Sequence, residues 1–339
     1  MSYTILLCAW CVLLCPQLRG AEVRILAPRA PVSKGAPAAS DDGHRLTTPM
    51  AGYHVVRDSL QVRGILGVPG ANYFSEPYPI PDGVAEVRIA SGHNWLLALR
   101  GIDAHASAWV PERGVDRPLV AVRGVPALVA FSSDGAAAAF YMRDADRAVV
   151  YRGLPDKPEL AVDLDATNWP DDLRLLAVAE NGRLLAGATG SGQVLLLGAG
   201  GSSMRRLLLD GQDPAALAFD GGRLALFDAT SGRVLLVEAP LQGTAARVLA
   251  VVGGNARDAT LSGGGGKLQL AAPGTGLVAI DIDSNELSIQ TTAPFVRAEL
   301  LRWPGHWMLA GPDRSEPRIH SRNRAESYLP AVSEPGGQE

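Results

Sequence analysis

From Val55 onward the chain alternates between short apolar runs and turns rich in Gly, Asp and Pro. The runs are dominated by Val, Leu and Ala, and none keeps a helical period over eleven or more residues. Short apolar runs that are bounded by turn residues are typical of β-strands. The pattern therefore predicts an all-β protein with many short strands.

A tight turn that ends in Gly recurs every 40 to 47 residues, each time after one apolar run and before another. The turn glycines are Gly92, Gly135, Gly182, Gly222, Gly265 and Gly305. Similar text surrounds each turn, as in LVAFSSDGAAAAFYM (128–142) and LLAVAENGRLLAGAT (175–189). A third and a fourth strand follow, as in RAVVYRG (147–153) and PELAVDL (158–164).

Four antiparallel strands in every forty-odd residues indicate the blades of a β-propeller. Six such repeats span roughly residues 84–331. Upstream, segments 62–70 and 73–81 are interpreted as the third and fourth strands of one more repeat. This half repeat either completes a seventh blade or pairs with the C-terminal strands. Seven blades, one of them incomplete, are favoured over six.

These turn-centred repeats resemble the bacterial β-propeller repeats of the WD-repeat, NHL and YVTN type found in exported proteins. The resemblance covers nearly all of residues 55–331 and implies the architecture, but it identifies no subfamily. The Trp-Asp dipeptide of WD repeats is absent, and so are the Ser-x-Asp-x-Gly-x-Thr-Trp box of sialidase-like blades and the tryptophan docking motif of quinone-dependent dehydrogenases.

The N-terminus is interpreted as a signal peptide, residues 1–21, because Ile5–Cys15 is an apolar run of signal-peptide length. That run is too short to span a bilayer. A Pro/Ala/Ser-rich linker (22–52), the propeller (53–331) and a disordered tail (332–339) are expected to follow. The expected location is periplasmic or secreted. Lipoprotein anchoring through Cys15 is disfavoured, since Leu14 stands where a small residue is wanted.

Composition narrows the function classes. All 3 cysteines lie in the predicted signal peptide, so the mature chain would have neither a disulfide scaffold nor a cysteine nucleophile. The 339 residues carry a net charge of −4 and no run of Lys or Arg, which disfavours a nucleic-acid partner. With 47% hydrophobic residues the chain can bury a large core.

Three motifs that suggest chemistry fall on loops or turns. Gly263–Lys267 resembles a phosphate loop, but Leu261 and Leu268 occupy positions that need Gly and Ser or Thr. Gly190–Gly192 lacks the first glycine of a nucleophile elbow and is interpreted as a turn between second and third strands. His93 and His306 each follow a turn glycine and precede a Trp, and we interpret both as solvent-facing turn tips.

The repeat register provides one candidate ligand site. Arg174, Arg257 and Arg297 each stand eight residues before a turn glycine, at the start of an innermost strand and near one mouth of the channel. Three guanidinium groups there could hold a small anionic ligand, a carboxylate or a phosphate. The favoured alternative is that each Arg pairs with a nearby acid such as Asp172, Asp258 or Glu299.

The remaining chemistry is sparse. Four carboxylates near the starts of first strands, Asp82, Asp172, Asp213 and Asp258, are interpreted as solvated or loop-capping. No catalytic, metal-ligating or cofactor-binding residue is assigned. The favoured function is a non-catalytic binding or protein-interaction scaffold of the cell envelope. The alternative is a propeller lactonase or hydrolase with a metal-assisted site at the channel mouth, which rests on fold analogy alone. Oligomeric state is left open.

Overall fold

The computed structural model describes residues 49–56, 59–68, 71–101, 104–253, 256–273 and 275–291, and strand segments at 297–300, 306–310, 318–321 and 324–328. The predicted signal peptide, nearly all of the predicted linker and the predicted tail lie outside these ranges.

The described strands form one three-stranded sheet and six four-stranded sheets, which we call the N-terminal sheet and blades 1 to 6. The N-terminal sheet contains β1 (Met50–Val56), β2 (Gln61–Val68) and β3 (Ala71–Phe74). Blade 1 contains β4 (Val84–Ile89), β5 (Leu96–Arg100), β6 (His105–Val110) and β7 (Val115–Arg123). Blade 2 contains β8 (Leu128–Phe131), β9 (Ala137–Met142), β10 (Arg147–Arg152) and β11 (Glu159–Asp165). Blade 3 contains β12 (Leu173–Val178), β13 (Leu184–Thr189), β14 (Val194–Ala199) and β15 (Ser202–Leu209). Blade 4 contains β16 (Pro214–Asp220), β17 (Arg223–Asp228), β18 (Arg233–Val237) and β19 (Arg247–Val251). Blade 5 contains β20 (Thr260–Gly264), β21 (Lys267–Ala272), β22 (Gly276–Asp281) and β23 (Leu287–Thr291). Blade 6 contains β24 (Arg297–Leu300), β25 (His306–Ala310), β26 (Arg318–Ser321) and β27 (Arg324–Tyr328).

Each blade is an antiparallel meander in which consecutive strands pair in sequence order. The first strand is innermost, and the first strands of neighbouring blades contact one another around a central channel. The second strands are covered on both faces by adjacent blades, so every residue of β9 and of β13 is buried. This explains why their sequences, AAAFYM and LLAGAT, are continuously apolar instead of alternating.

The hydrophobic core lies between neighbouring sheets. Trp95 and Leu97 of the first repeat pack against Phe140 and Tyr151 of blade 2, and comparable clusters join blades 2 and 3, 3 and 4, and 4 and 5. One sheet alone could not bury both of its apolar faces, and stacking the repeats supplies the missing cover. The structure thus confirms the all-β propeller of four-stranded antiparallel blades.

The turn register is also confirmed where it is described. Gly92, Gly135, Gly182 and Gly265 lie between the first and second strands of their blades, with φ between +63° and +71°. In blade 4 the left-handed residue is Gly221, with φ +59°, instead of Gly222. Gly needs no Cβ and adopts this conformation at little cost, which is the reason for its recurrence.

The predicted number of blades requires correction. Four-stranded blades in the described part of the chain number six, not seven. Segments 62–70 and 73–81 contribute the second and third strands of a separate sheet instead of third and fourth strands, because Met50–Val56 supplies a first strand ahead of them. This sheet has no ladder to blade 6 in the described strands, so the alternative of pairing with C-terminal strands is not observed either.

The N-terminal sheet nevertheless packs on both neighbours. Ala51 and Ile65 contact Met308 of blade 6, and Tyr53 and Val62 pack with Val87 of blade 1. Ala51, Tyr53, Val62 and Ile65 are fully buried. β1 begins at Met50, three residues before the predicted start of the propeller. Its residues are buried because side chains of blades 1 and 6 pack against them.

Helical structure in the described ranges is limited to short 3-10 turns at Ser91–His93, Pro111–Arg113 and Arg143–Ala145. None of these turns approaches the length and apolar character that a membrane-spanning helix requires.

Candidate functional site

The central channel contains a pocket of about 330 Å³ at the end where the innermost strands finish, which we call the turn mouth. Five innermost strands, β4, β8, β12, β16 and β20, form its wall. Apolar side chains cover much of that wall, with Ile89, Phe131, Leu176 and Leu217 each coming from a different blade. We call this space the axial pocket.

The polar side chains of the axial pocket are four hydroxyl groups and one imidazole. Ser91, Ser133, Thr260 and Ser262 bring hydroxyl groups, and His93 brings an imidazole. No Asp, Glu, Lys or Arg belongs to the wall that the described residues form. A hydroxyl both donates and accepts, so this lining can satisfy polar ligand groups of either kind.

His93 is not the solvent-facing turn tip that the sequence suggested. Its side chain is only 2% exposed, and its Nδ1 accepts a hydrogen bond of 3.2 Å from the backbone N–H of Tyr53. The ring lies against the backbone of Gly52, where a Cβ would stand 2.6 Å from Nδ1. The N-terminal sheet, which the turn sequence does not reveal, covers this position. The side chain of His306 lies outside the described residues.

Neighbouring turns are linked around the turn mouth. Trp95 Nε1 donates to the carbonyl oxygen of Gly135 at 2.8 Å, and the Ser133 hydroxyl donates to Glu180 at 2.8 Å. Gly135 also approaches the Ser91 carbonyl so closely that a Cβ would stand 2.5 Å from it. These links run from blade 1 to blade 2 and from blade 2 to blade 3, and they hold the pocket wall in place.

The glycine run before Lys267 belongs to this wall and not to a phosphate loop. Gly263 lies at the pocket, and its Cβ position is 2.6 Å from the Phe219 carbonyl oxygen of the adjacent innermost strand. Gly265 and Gly266 form the following turn with positive φ. The Gly190–Gly192 segment likewise connects second and third strands, β13 and β14, as predicted.

The candidate arginines lie at the opposite end of the channel, the strand-start mouth. Arg174 donates to the Asp213 carboxylate at 3.0 Å and to the Pro214 carbonyl oxygen at 2.8 Å. Arg257 stands 3.7 Å from the other oxygen of Asp213. Two of the three arginines therefore converge on one carboxylate. The backbone of Arg297 starts β24, and its side chain lies outside the described residues.

Asp213 was expected to be solvated or to cap a loop, and it instead joins three successive repeats. Besides the two arginines, the Thr230 hydroxyl donates to it at 3.2 Å. The hydrogen bond from Arg174 is the main cause that lowers the pKa of Asp213 below its ordinary value. The pKa of Asp172 is also lowered, chiefly because the backbone N–H of Ser191 donates to its carboxylate at 2.8 Å.

A second pocket, of about 560 Å³, opens beside Asp213 and is lined mainly by polar groups of blade 4, including Gln212, Thr230 and Arg233. The buried Asp228 accepts backbone hydrogen bonds from Asp213 and Ser231, so its carboxylate is occupied in shaping a turn. The described residues contain no group of three His, Cys, Asp or Glu side chains placed to hold a metal ion.

The predicted anion site and the axial pocket thus occupy opposite ends of the channel. The arginines stand out in the sequence because their side chains are charged. The axial pocket does not stand out because residues typical of any β-strand line it. The signal that could have found the pocket was the repeat register itself, since residues that precede the turn glycines of the first five blades line it.

Comparison with known proteins identifies the fold of this chain but not its family. No protein-family model matches the chain, and no curated protein matches it in sequence. A solved structure of a functionally unknown protein from Desulfotomaculum acetoxidans is similar over 84% of this chain and 96% of its own, with a TM-score of 0.58 and 12% identity.

Two further structures give the same picture. A protein from Lactobacillus plantarum matches 83% of this chain and 96% of its own, with a TM-score of 0.52 and 14% identity. A β-propeller domain from Myceliophteria thermophila matches 75% of this chain and 87% of its own, with a TM-score of 0.51 and 14% identity. Such low identities show a shared fold only, and that fold is the β-propeller.

Proposed function

We propose that this chain is a non-catalytic binding protein whose ligand occupies the axial pocket. The observation that carries the proposal is the composition of the pocket wall, in which apolar and hydroxyl side chains from five blades converge around a recess of about 330 Å³. A concave, largely apolar site with a few convergent polar groups is the usual form of a small-molecule binding site.

The pocket wall is suited to binding because it is rigid. Its residues lie on innermost strands or on turns that are linked from blade to blade, as in the Trp95–Gly135 hydrogen bond of 2.8 Å. A wall that needs little reordering on binding loses little conformational entropy, so more of the contact energy appears as affinity. Filling the recess also removes apolar surface from water, which is favourable.

We also propose that the protein acts in the cell envelope or outside the cell. The support is the apolar run Ile5–Cys15 followed by the small residues Gly20 and Ala21, a pattern typical of a cleaved export signal. The mass of the mature protein recovered from the producing cells tests this. Loss of about the first 21 residues is expected, and recovery of the full-length chain contradicts it.

The binding proposal is tested by loading the purified protein with a native envelope extract and identifying the released small molecules by mass spectrometry. The Thr260→Trp variant places a large side chain at an exposed position of the pocket wall. The control, Arg205→Ala, changes an exposed residue of the outermost strand β15, far from the pocket wall in the blade. We expect native protein and Arg205→Ala to retain the same molecule and Thr260→Trp to lose it.

Two outcomes contradict the proposal. Equal retention by all three proteins would place the ligand elsewhere. Recovery of a converted product that the extract did not contain would favour the hydrolase alternative. Circular dichroism spectra of both variants establish that they are folded as the native protein is.

A further inference from the structure

We infer that the axial pocket takes an uncharged small molecule with an apolar ring or chain, and this rests on the proposed function of that pocket. The observation behind this inference is that seventeen described residues line the pocket and none of them is Asp, Glu, Lys or Arg. The lining set is Ile89, Ala90, Ser91, His93, Ala130, Phe131, Ser133, Leu176, Ala177, Val178, Leu217, Ala218, Phe219, Thr260, Leu261, Ser262 and Gly263.

Two described carboxylates beside the pocket lining, Glu180 and Asp220, are held in other interactions. Glu180 accepts the hydroxyl hydrogen of Ser133, and buried Asp220 is paired with Arg223 and accepts the backbone N–H of Gly266. An ionised ligand group in the recess would give up its water and find no counter-charge among the described residues of the wall. Burying an unpaired charge is strongly unfavourable.

The apolar part of the wall sets the body of the ligand. Ile89, Phe131, Leu176 and Leu217 come from four different blades, so an apolar group in the recess meets carbon on several sides. The volume of about 330 Å³ lies near the lower end of the range typical of ligand pockets. That size suits a group of one or two fused rings, or a short branched chain, rather than an extended polymer.

The polar part of the wall accommodates neutral polar substituents. Thr260 and Ser262 lie on β20, and Ser91 and Ser133 lie on the turns of blades 1 and 2. The Ser133 hydroxyl donates its hydrogen to Glu180 and keeps acceptor capacity toward the pocket. A ligand hydroxyl, carbonyl or amide can therefore be paired, whereas a carboxylate or an ammonium meets no opposite charge among the described lining residues.

The test uses three compounds that share a naphthalene ring and carry one small neutral, anionic or cationic substituent: naphthylmethanol, naphthoate and naphthylmethylammonium. Their affinities are measured by isothermal titration calorimetry against native protein, Thr260→Trp and the control Arg205→Ala, which changes an exposed residue of the outermost strand β15. We expect the neutral alcohol to bind the native protein and Arg205→Ala about tenfold or more tightly than either ion, which corresponds to about 1.4 kcal/mol. Thr260→Trp is expected to lose about tenfold or more of that affinity. If Thr260→Trp does not fold, Ser262→Trp is used instead, because Ser262 lies two residues further along β20 and lines the same pocket.

The outcomes separate this inference from the proposed function. Equal or tighter binding of an ion, abolished in Thr260→Trp, overturns the uncharged-ligand inference and leaves the pocket as a binding site. If that ion is the ammonium, Glu180→Gln shows whether the Glu180 carboxylate is the group that attracts it. Binding that persists in both Trp variants, or no binding of any of the three compounds, overturns the proposed site itself.

Discussion

At the scale of single residues, His93 and Gly52 show how one close approach attaches the N-terminal sheet. The imidazole accepts the Tyr53 backbone N–H at 3.2 Å, and this is possible because Gly52 leaves room for the ring. Tyr53 is fully buried, and its hydroxyl donates to Glu112 of blade 1. The attachment therefore depends on a residue without a side chain.

Gly52→Ala is expected to lower the free energy of unfolding by about 1–3 kcal/mol, because the new Cβ would stand 2.6 Å from His93 Nδ1 and force the ring to move. Urea denaturation followed by tryptophan fluorescence measures the change. Gly101→Ala is the matched control, since nothing lies within 4 Å of its Cβ position. A Gly52→Ala protein as stable as Gly101→Ala would show that the ring can shift without loss.

At the scale of strands, the innermost strands converge so closely that backbone approaches backbone. The β16–β20 pair is the closest example, with the Cβ position of Gly263 only 2.6 Å from the Phe219 carbonyl oxygen. β20 begins with Thr260 and contains Ser262, so the position of β20 also determines where two hydroxyl groups of the axial pocket lie. A larger residue at 263 would push blade 5 away from blade 4.

Gly263→Ala is expected to destabilise the fold by about 1–3 kcal/mol, because a backbone carbonyl cannot swing aside as a flexible side chain can. The adjacent Gly264→Ala is the control, since its Cβ position is open, and it should be neutral or slightly stabilising. Thermal unfolding of the two variants decides the point. Equal melting temperatures would contradict the close approach of β16 and β20.

At the scale of the whole molecule, the repeats are joined by polar contacts as well as by core packing. Asp213 of blade 4 accepts from Arg174 of blade 3 at 3.0 Å and stands 3.7 Å from Arg257, which precedes blade 5. The hydrogen bond from Arg174 lowers the pKa of Asp213 in the folded state. A lowered folded-state pKa contributes stability above the unfolded-state value and loses it as the pH falls.

Asp213→Asn is therefore expected to be less stable than native protein at pH 7 and to differ less from it near pH 3. The unfolded carboxyl has a pKa of about 3.9, so the native advantage disappears as the pH falls through and below that value. Urea midpoints at pH 7, 5 and 3 measure this. The exposed neighbour Asp258→Asn is the control. A difference between native and Asp213→Asn that is unchanged across this range would contradict the assignment.

The anion site at the strand-start mouth stays a prediction. Arg174 and Arg257 both contact Asp213. The sequence predicts that Asp213 is solvated or caps a loop, and it names other acids as partners of the arginines. The repeat register predicts that both arginines lie at the same mouth of the channel. Which acid each arginine reaches depends on how far adjacent blades are rotated about the channel axis. That rotation is set by the packing of whole sheets.

Strand positions and turn glycines were predictable because their causes are local. Left-handed turns select Gly at 92, 135, 182 and 265, and apolar runs of strand length flank them. The repetition of that pattern every forty-odd residues was enough to indicate four-stranded blades and a propeller. β1 was missed because MAGYHVV follows a Pro- and Ala-rich segment and draws its burial from two other blades.

In contrast, the tertiary structure decides which side chains are buried and which are brought together at one site. Four features depend on contacts between residues distant in the chain: the six four-stranded blades, the covering of His93 by β1, the joining of three repeats at Asp213, and the recess between five innermost strands. Local periodicity and turn chemistry act over a few residues and so specify the repeat. Which side chains the repeats bring together depends on the stacking of sheets, which no single repeat encodes.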